Sequence, residues 1–95
     1  MALGIYFPVK QMSAKKYHDV HRRLDEIGQA NPAGRSVHAG FRVGDEIHVF
    51  DVWESQEAFA AFGEHLMPIL TELGIDAGDP QISEIEMLIT PAGVS

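Results

Sequence analysis

The sequence predicts an α+β domain in which a four-stranded antiparallel sheet carries two helices on one face. Three observations support this fold class. Apolar segments occur in the order strand, helix, strand, strand, helix, strand; Gly44-Asp45 joins the two middle strands; and a serine precedes each helical segment. This order is the split βαβ pattern of the ferredoxin-like class. The length of 95 residues suits one domain, so we assign residues 1–95 to a single unit.

The first strand and the first helix are predicted before residue 28. Residues 2–9, ALGIYFPV, form an apolar run with β-branched and aromatic members, which is typical of a strand. Ser13 is a candidate N-cap, and apolar or aromatic residues follow it at three- and four-residue steps. These residues are Tyr17, Val20, His21, Leu24 and Ile27. The pattern predicts a helix that ends near Gly28, followed by a loop at 31–34.

The middle strands are predicted at 36–43 and 46–53. Glycine at the first position of a two-residue connection favours a type II′ turn, which fixes the pairing and places His38 opposite Asp51. One face of the hairpin then carries Ser36, His38, Gly40, Arg42, Ile47, Val49, Asp51 and Trp53. The other carries Val37, Ala39, Phe41, Val43, Glu46, His48, Phe50 and Val52. The second set is the more apolar, so we expect the two helices to cover it.

The second helix and the last strand complete the pattern. Ser55 is its candidate N-cap, and the apolar side consists of Ala58, Phe59, Phe62, Leu66, Ile69, Leu70 and Leu73. The helix should end near Gly74 and kink at Pro68, which removes a backbone hydrogen bond. A last strand is predicted at 81–90, where Pro91 stops it.

A sheet with helices on one side leaves its other side to be covered. By the face assignment above, this side would expose Ile47, Val49, Trp53 and Leu88, with Tyr6 beside them. So much apolar surface is rarely left in water. We therefore expect a homodimer in which a second copy packs against it.

Composition excludes several classes of function. The chain has no cysteine, which rules out disulfide and thiolate chemistry. A formal net charge of −7 disfavours binding to nucleic acid or to an anionic membrane. No apolar run reaches the roughly 18 residues of a membrane span, and the N-terminus lacks a basic leader with a cleavage site. We expect a cytoplasmic protein.

The segment VFDVWESQEAFAAFGEHLMPIL, residues 49–70, resembles the strand-to-helix passage of the dimeric α/β-barrel superfamily, near the antibiotic-biosynthesis monooxygenase type. The resemblance implies a homodimer whose two sheets form a barrel, with a cavity between helices and sheet in each subunit. Members include cofactor-free oxygenases of polycyclic aromatics, haem-degrading enzymes, and many proteins without a known activity. Fold alone therefore says little about chemistry.

The haem-degrading branch of that superfamily fits this sequence poorly. It places an Asn on the first strand, a Trp on the second helix and a proximal His after that Trp. Here LGIYF has no Asn, Phe62 occupies the Trp position, and the His position falls near Glu72. We expect no cofactor.

His38 and Asp51 are the candidate catalytic pair. A carboxylate beside an imidazole orients the ring and favours its charged form, which prepares a general base. Arg42 on the same face could hold a substrate anion. The other candidate substrate-binding residues are Tyr6, Trp53 and Phe62. Tyr17 and Met67 are further candidates for the lining of an aromatic-binding pocket. The alternative is that the pair is a cross-strand ion pair that fixes strand register or lies at the dimer interface.

A metal site is the remaining chemical reading. His18 and His21 lie three residues apart on one helix, with Asp25 a turn further on, but no second row of ligands is evident, so we expect no metal. Two functions remain open. One is a cofactor-independent monooxygenase or related enzyme acting on an aromatic or enolisable metabolite. The other is a non-catalytic protein of the same fold that binds a small hydrophobic ligand or acts as an accessory or structural component.

Overall fold

The computed structural model describes residues 2–94. Its elements are β1 (Leu3–Phe7), α1 (Ala14–Glu26), β2 (Arg35–Val43), β3 (Glu46–Trp53), α2 (Gln56–Glu72), β4 (Gln81–Glu84), β5 (Ile89–Thr90) and β6 (Gly93–Val94). The main sheet has the order β2-β3-β1-β4 with every neighbouring pair antiparallel. This confirms the ferredoxin-like α+β fold. Neither α1 nor α2 is long and apolar enough to cross a membrane.

The helix ends follow the local signals in the sequence. Ser13 and Ser55 each accept, through Oγ, a hydrogen bond from the amide three residues later, at 3.2 and 3.1 Å. Gly28 and Gly74 follow the C-caps with φ of 73° and 67°, a left-handed conformation that glycine adopts without strain. Both ends make the paired backbone bonds of a Schellman motif. Pro68 lies inside α2, as predicted.

The hairpin register is confirmed over most of its length. Gly44 has a φ of 62° whereas Asp45 has no positive φ, which agrees with a type II′ turn. His38 pairs with Asp51 as expected. The ladder then shifts by one residue near its far end, so that Arg35, rather than the residue after it, lies opposite Trp53.

The prediction of the helix-covered face was wrong. The helices cover the face that carries Ile47, Val49, Asp51 and Trp53, and these four side chains are buried. The first strand decides this, because its apolar row continues onto that face: Phe7 pairs with Val49. The hairpin taken alone is more apolar on its other face, but the complete sheet buries more apolar area on this one.

The uncovered face therefore differs from the predicted one. It carries Phe41 and Val43, which are 41% and 45% exposed, together with Tyr6 and His48. The Tyr6 hydroxyl lies 2.6 Å from Nδ1 of His48, and its ring stacks on Phe41 with 6.3 Å between centroids. An apolar sheet face is thus left open, but it is formed by the set of residues that had been expected under the helices.

The last strand is shorter than predicted. Only Gln81–Glu84 joins the sheet, and β5 pairs with β6 in a separate small hairpin. The reason lies in the partner strand: β1 begins at Leu3, whose partner is Glu84. One further backbone bond, from Ile85 N–H to the Ala2 carbonyl at 2.9 Å, follows this pair, and the strand ends there.

Candidate active site

A small cavity lies between the two helices and the sheet. Its volume is about 60 Å³ and its lining is mostly apolar. The polar side chains that reach it are Tyr17, His21, Arg35, His38 and Asp51. This volume is well below the roughly 300 Å³ at which typical ligand pockets begin.

Asp51, His38 and Tyr17 form a continuous hydrogen-bonded chain. Asp51 is only 3% exposed, and its Oδ1 lies 2.7 Å from Nδ1 of His38. The other ring nitrogen, Nε2, lies 2.7 Å from the Tyr17 hydroxyl. Trp53 donates its Nε1–H to Oδ2 of Asp51 at 3.2 Å, so both carboxylate oxygens are satisfied.

The directions of these bonds follow from their chemistry. An ionised carboxylate only accepts, so Nδ1 of His38 carries a hydrogen. In the neutral ring Nε2 is then the acceptor, and the Tyr17 O–H donates to it. Burial, and to a lesser extent the charge of Asp51, raises the pKa of Tyr17, while Arg35 opposes this. Tyr17 is therefore protonated at neutral pH.

His21 is a second imidazole beside this chain. Its ring centroid lies 4.6 Å from that of Tyr17 and 5.0 Å from that of His38. Burial, followed by the positive potential of His38, Arg35 and His18, lowers the pKa of His21 to about 4, and only Asp51 acts in the other direction. The ring is therefore neutral at pH 7.

This shift predicts an acid sensitivity of folding. The unfolded chain binds a proton at His21 near pH 6.5, whereas the folded chain does so only near pH 4. The free energy of unfolding should therefore fall as the pH drops from 6.5 to 4. In His21→Gln this part of the fall should disappear, as measured by urea unfolding at a series of pH values. Parallel curves for the two proteins would contradict it.

Gly40 leaves room for the Tyr17 ring. A Cβ at this position would lie 2.5 Å from both Cζ and the hydroxyl oxygen of Tyr17. Gly40→Ala should therefore push the ring away and break its bond to His38, at a cost of about 0.5–1.5 kcal/mol. Loss of the coupling is visible in the ¹⁵N shift of Nε2 of His38.

The control for this substitution is Gly63→Ala. Gly63 lies inside α2 and a Cβ there meets nothing within 4 Å. That substitution should raise stability by about 0.5–1 kcal/mol and leave the His38 resonance unchanged. An unchanged Nε2 shift in Gly40→Ala would mean that the ring does not occupy this position.

The structure brings together some of the predicted site residues and separates others. His38, Asp51 and Phe62 line the cavity, while Trp53 lies behind Asp51 and packs on Phe62 at 5.3 Å. The remaining candidates lie elsewhere. Tyr6 is on the opposite face of the sheet with His48, and Arg42 and Met67 are exposed.

Tyr17 lines the cavity, as predicted for a pocket residue, but its bond to His38 and the positions of His21 and Arg35 were not predicted. Tyr17 and His21 lie four residues apart, and thus on one face of α1, so helical spacing could have identified them as a pair facing the sheet. Arg35 had no such signal, because its position depends on a strand irregularity. Within residues 2–94 no group of three or more His, Asp or Glu side chains converges to hold a metal.

Comparisons with solved structures identify the fold. No protein-family model matches the sequence, and the comparison with curated proteins found no match. Solved structures do match. SnoaB, a cofactor-independent oxygenase from Streptomyces nogalater, is 18% identical with a TM-score of 0.61, over 93% of this chain and 94% of that one. The chain has the antibiotic-biosynthesis-monooxygenase-like fold.

Two further ABM-like structures agree. Proposed antibiotic biosynthesis monooxygenases from Caulobacter crescentus and Deinococcus radiodurans are 19% and 15% identical to this chain, with TM-scores of 0.61 and 0.56. The first alignment covers 92% of this chain and 90% of the Caulobacter protein. The second covers 95% of this chain and 97% of the Deinococcus protein. The TM-scores establish the ABM-like fold. The low sequence identities leave the chemistry to be argued from the site.

Proposed function

We propose that this chain is a cofactor-independent enzyme of the monooxygenase type, acting on a small aromatic or enolisable metabolite. The observation that carries the proposal is the chain Asp51, His38, Tyr17, which ends at an apolar cavity. It is an arrangement that suits general-base catalysis through a relay: an oriented imidazole whose acceptor nitrogen bonds to the Tyr17 hydroxyl, with Tyr17 lining the cavity. The fold shared with SnoaB supports this by analogy.

The proposed proton route uses the observed bonds. Tyr17 takes a proton from the substrate as its own proton passes to Nε2 of His38, and Asp51 stabilises the resulting imidazolium. The substrate carbanion then forms a bond to one oxygen of O₂, giving a hydroperoxide after protonation. Loss of water leaves a carbonyl, so a CH₂ group and O₂ become C=O and H₂O. The substrate supplies all the electrons, and no external reductant is needed.

Two of the predicted binding residues have no part in this mechanism. Tyr6 lies on the other face of the sheet, and Arg42 is exposed, so neither reaches the cavity. Arg35 lines the cavity and takes over the role of holding the substrate anion. A benzene-sized ligand occupies about 150 Å³ in a protein interior. Since the cavity measures about 60 Å³, an aromatic substrate enters only when α1 and α2 move apart.

The proposal includes a homodimer. The open sheet face presents the exposed side chains of Phe41 and Val43, and a second copy of the chain would bury them. Sedimentation equilibrium should give twice the chain mass, and Phe41→Asp should give the monomer. A wild-type monomer at micromolar concentration contradicts the dimer. The cytoplasmic location expected from the sequence stays a prediction.

The second candidate function is a non-catalytic binding protein. One observation favours it: Tyr17 already occupies Nε2 of His38. The experiment is a dioxygen-uptake screen with phenols, naphthols and 1,3-dicarbonyl compounds, with thermal shift recorded on the same compounds. Uptake that requires His38 supports the enzyme. Compounds that raise the melting temperature without any uptake support the binding protein.

A further inference from the structure

Arg35 reaches the cavity because of a β-bulge. The ladder between β2 and β3 shifts between Arg35 and Val37, so Arg35 lies opposite Trp53. In an unbroken ladder Ser36 would occupy this place and Arg35 would point to the open face. Bulges commonly re-aim one side chain beside a functional site. The bulge therefore places the guanidinium of Arg35 at the cavity in place of the small hydroxyl of Ser36.

The guanidinium of Arg35 retains most of its bonding capacity. It has five N–H donors, and among residues 2–94 its one side-chain hydrogen bond is to the Ala30 carbonyl oxygen, at 3.1 Å. No carboxylate of that range lies within 4.0 Å of it. The group stacks over the rings of Phe62 and Trp53 at 5.6 and 6.0 Å, which holds it at the cavity wall.

The surroundings of Arg35 are suited to a ligand with two parts. Its donors form the one strongly cationic spot on a wall that is otherwise mostly apolar, with Phe7, Val20 and Leu66 among the lining residues. The one acid of the lining, Asp51, is already satisfied by His38 and Trp53. An arginine fork with free donors matches the two oxygens of a carboxylate.

We propose that the cavity binds a small organic acid, with its carboxylate paired to Arg35 and its short carbon chain or single ring against the apolar wall. This deepens the proposed function, on which it rests for the reaction, by naming the substrate class as an enolisable carboxylic acid. Because the chain carries a net charge of −7, its overall field does not attract anions. Affinity for an acid therefore reports the local site.

The test compares two acids with their uncharged amides: butyrate with butyramide, and benzoate with benzamide. NMR titration should show each acid binding about tenfold or more tightly than its amide, as expected for a charge-assisted pair. In Arg35→Gln the two affinities should become equal, with amide binding unchanged. In Arg42→Gln, which alters an exposed arginine of the same strand, the preference should persist.

A measurement on the wild-type protein guards against misfolding of the variant. The Arg35 Nε–H resonance should shift with benzoate and not with benzamide. Any one of three results would overturn the proposal. The preference for acid over amide could persist in Arg35→Gln, the Arg35 Nε–H resonance could fail to shift with benzoate, or neither acid could bind at millimolar concentration. The outcome is separate from catalysis: benzoate has no enolisable C–H bond, so Arg35-dependent binding of these acids would leave this site standing even if the dioxygen-uptake screen finds no substrate.

Discussion

Replacing His38 with Ala is expected to lower turnover of any substrate found in the uptake screen by about 10²- to 10⁴-fold, the range for loss of a general base. The reason is geometric: His38 bonds to both Asp51 and Tyr17, at 2.7 Å in each case. Without it, the Tyr17 proton has no acceptor and the buried carboxylate stabilises no cation. Steady-state kinetics of dioxygen consumption measure the effect.

Alanine at this position also leaves Oδ1 of Asp51 unbonded, so a loss of stability would accompany the loss of activity. His38→Asn separates the two effects. Its amide nitrogen can replace Nδ1 as the donor to Asp51, but it supplies no base in place of Nε2. Turnover in His38→Asn should fall as far as in His38→Ala, while the free energy of unfolding stays closer to that of the wild type.

The control is His48→Ala. His48 lies on the opposite face of the sheet and bonds to Tyr6, away from the cavity. Its removal should leave kcat within about twofold of the wild type, if the dimer is preserved. If His38→Asn retains wild-type turnover, the pair has only a structural role and the proposed base is wrong.

Trp53→Ala is expected to lower the free energy of unfolding by about 3–5 kcal/mol. Trp53 is 0% exposed and packs against Phe59 and Phe62, with ring centroids 5.7 and 5.3 Å away. Its deletion leaves a large void, and it removes the donor that satisfies Oδ2 of Asp51. Native proteins have a free energy of unfolding of about 5–15 kcal/mol. The substitution would therefore remove a large part of the stability of this domain. Urea unfolding measures the change.

Trp53→Phe distinguishes packing from hydrogen bonding. It keeps most of the aromatic volume and loses the Nε1–H donor, so we expect a smaller loss of about 1–2 kcal/mol. Met87→Ala is the control, because Met87 is 62% exposed and its truncation should change stability by less than about 0.5 kcal/mol. A Trp53→Ala protein as stable as the Met87→Ala protein would contradict the burial of Trp53 under the helices.

The outcome at Trp53 also bears on the main error of the sequence interpretation. The face assignment from sequence places Trp53 on a face left for a second subunit, whereas it lies under α2, against Phe59 and Phe62. Both faces of the hairpin carry apolar residues. The number of apolar residues within the hairpin alone therefore favoured the wrong face as the one covered by the helices. Only the pairing of β1 with β3 adds the apolar row of Ile5 and Phe7 to one side and settles the matter.

The sequence by itself determined the features that depend on neighbouring residues. Ser13, Ser55, Gly28 and Gly74 set the helix ends, because caps act within one turn. Gly44 set the register that joins His38 to Asp51, because a two-residue turn fixes which residues face each other.

Only the tertiary structure decided which face the helices cover, where β4 stops, that Arg35 turns inward and how small the cavity is. These features depend on which distant segments share buried area, and on a single extra residue in β2. The extra residue cannot be recognised from the alternation of β2, because Arg35 is the only residue of that strand beyond it. The one-residue shift therefore moves this single side chain to the other face of the sheet. The pairing of His38 with Asp51 was thus predictable from local rules, whereas the cavity beside it and the position of Arg35 were not.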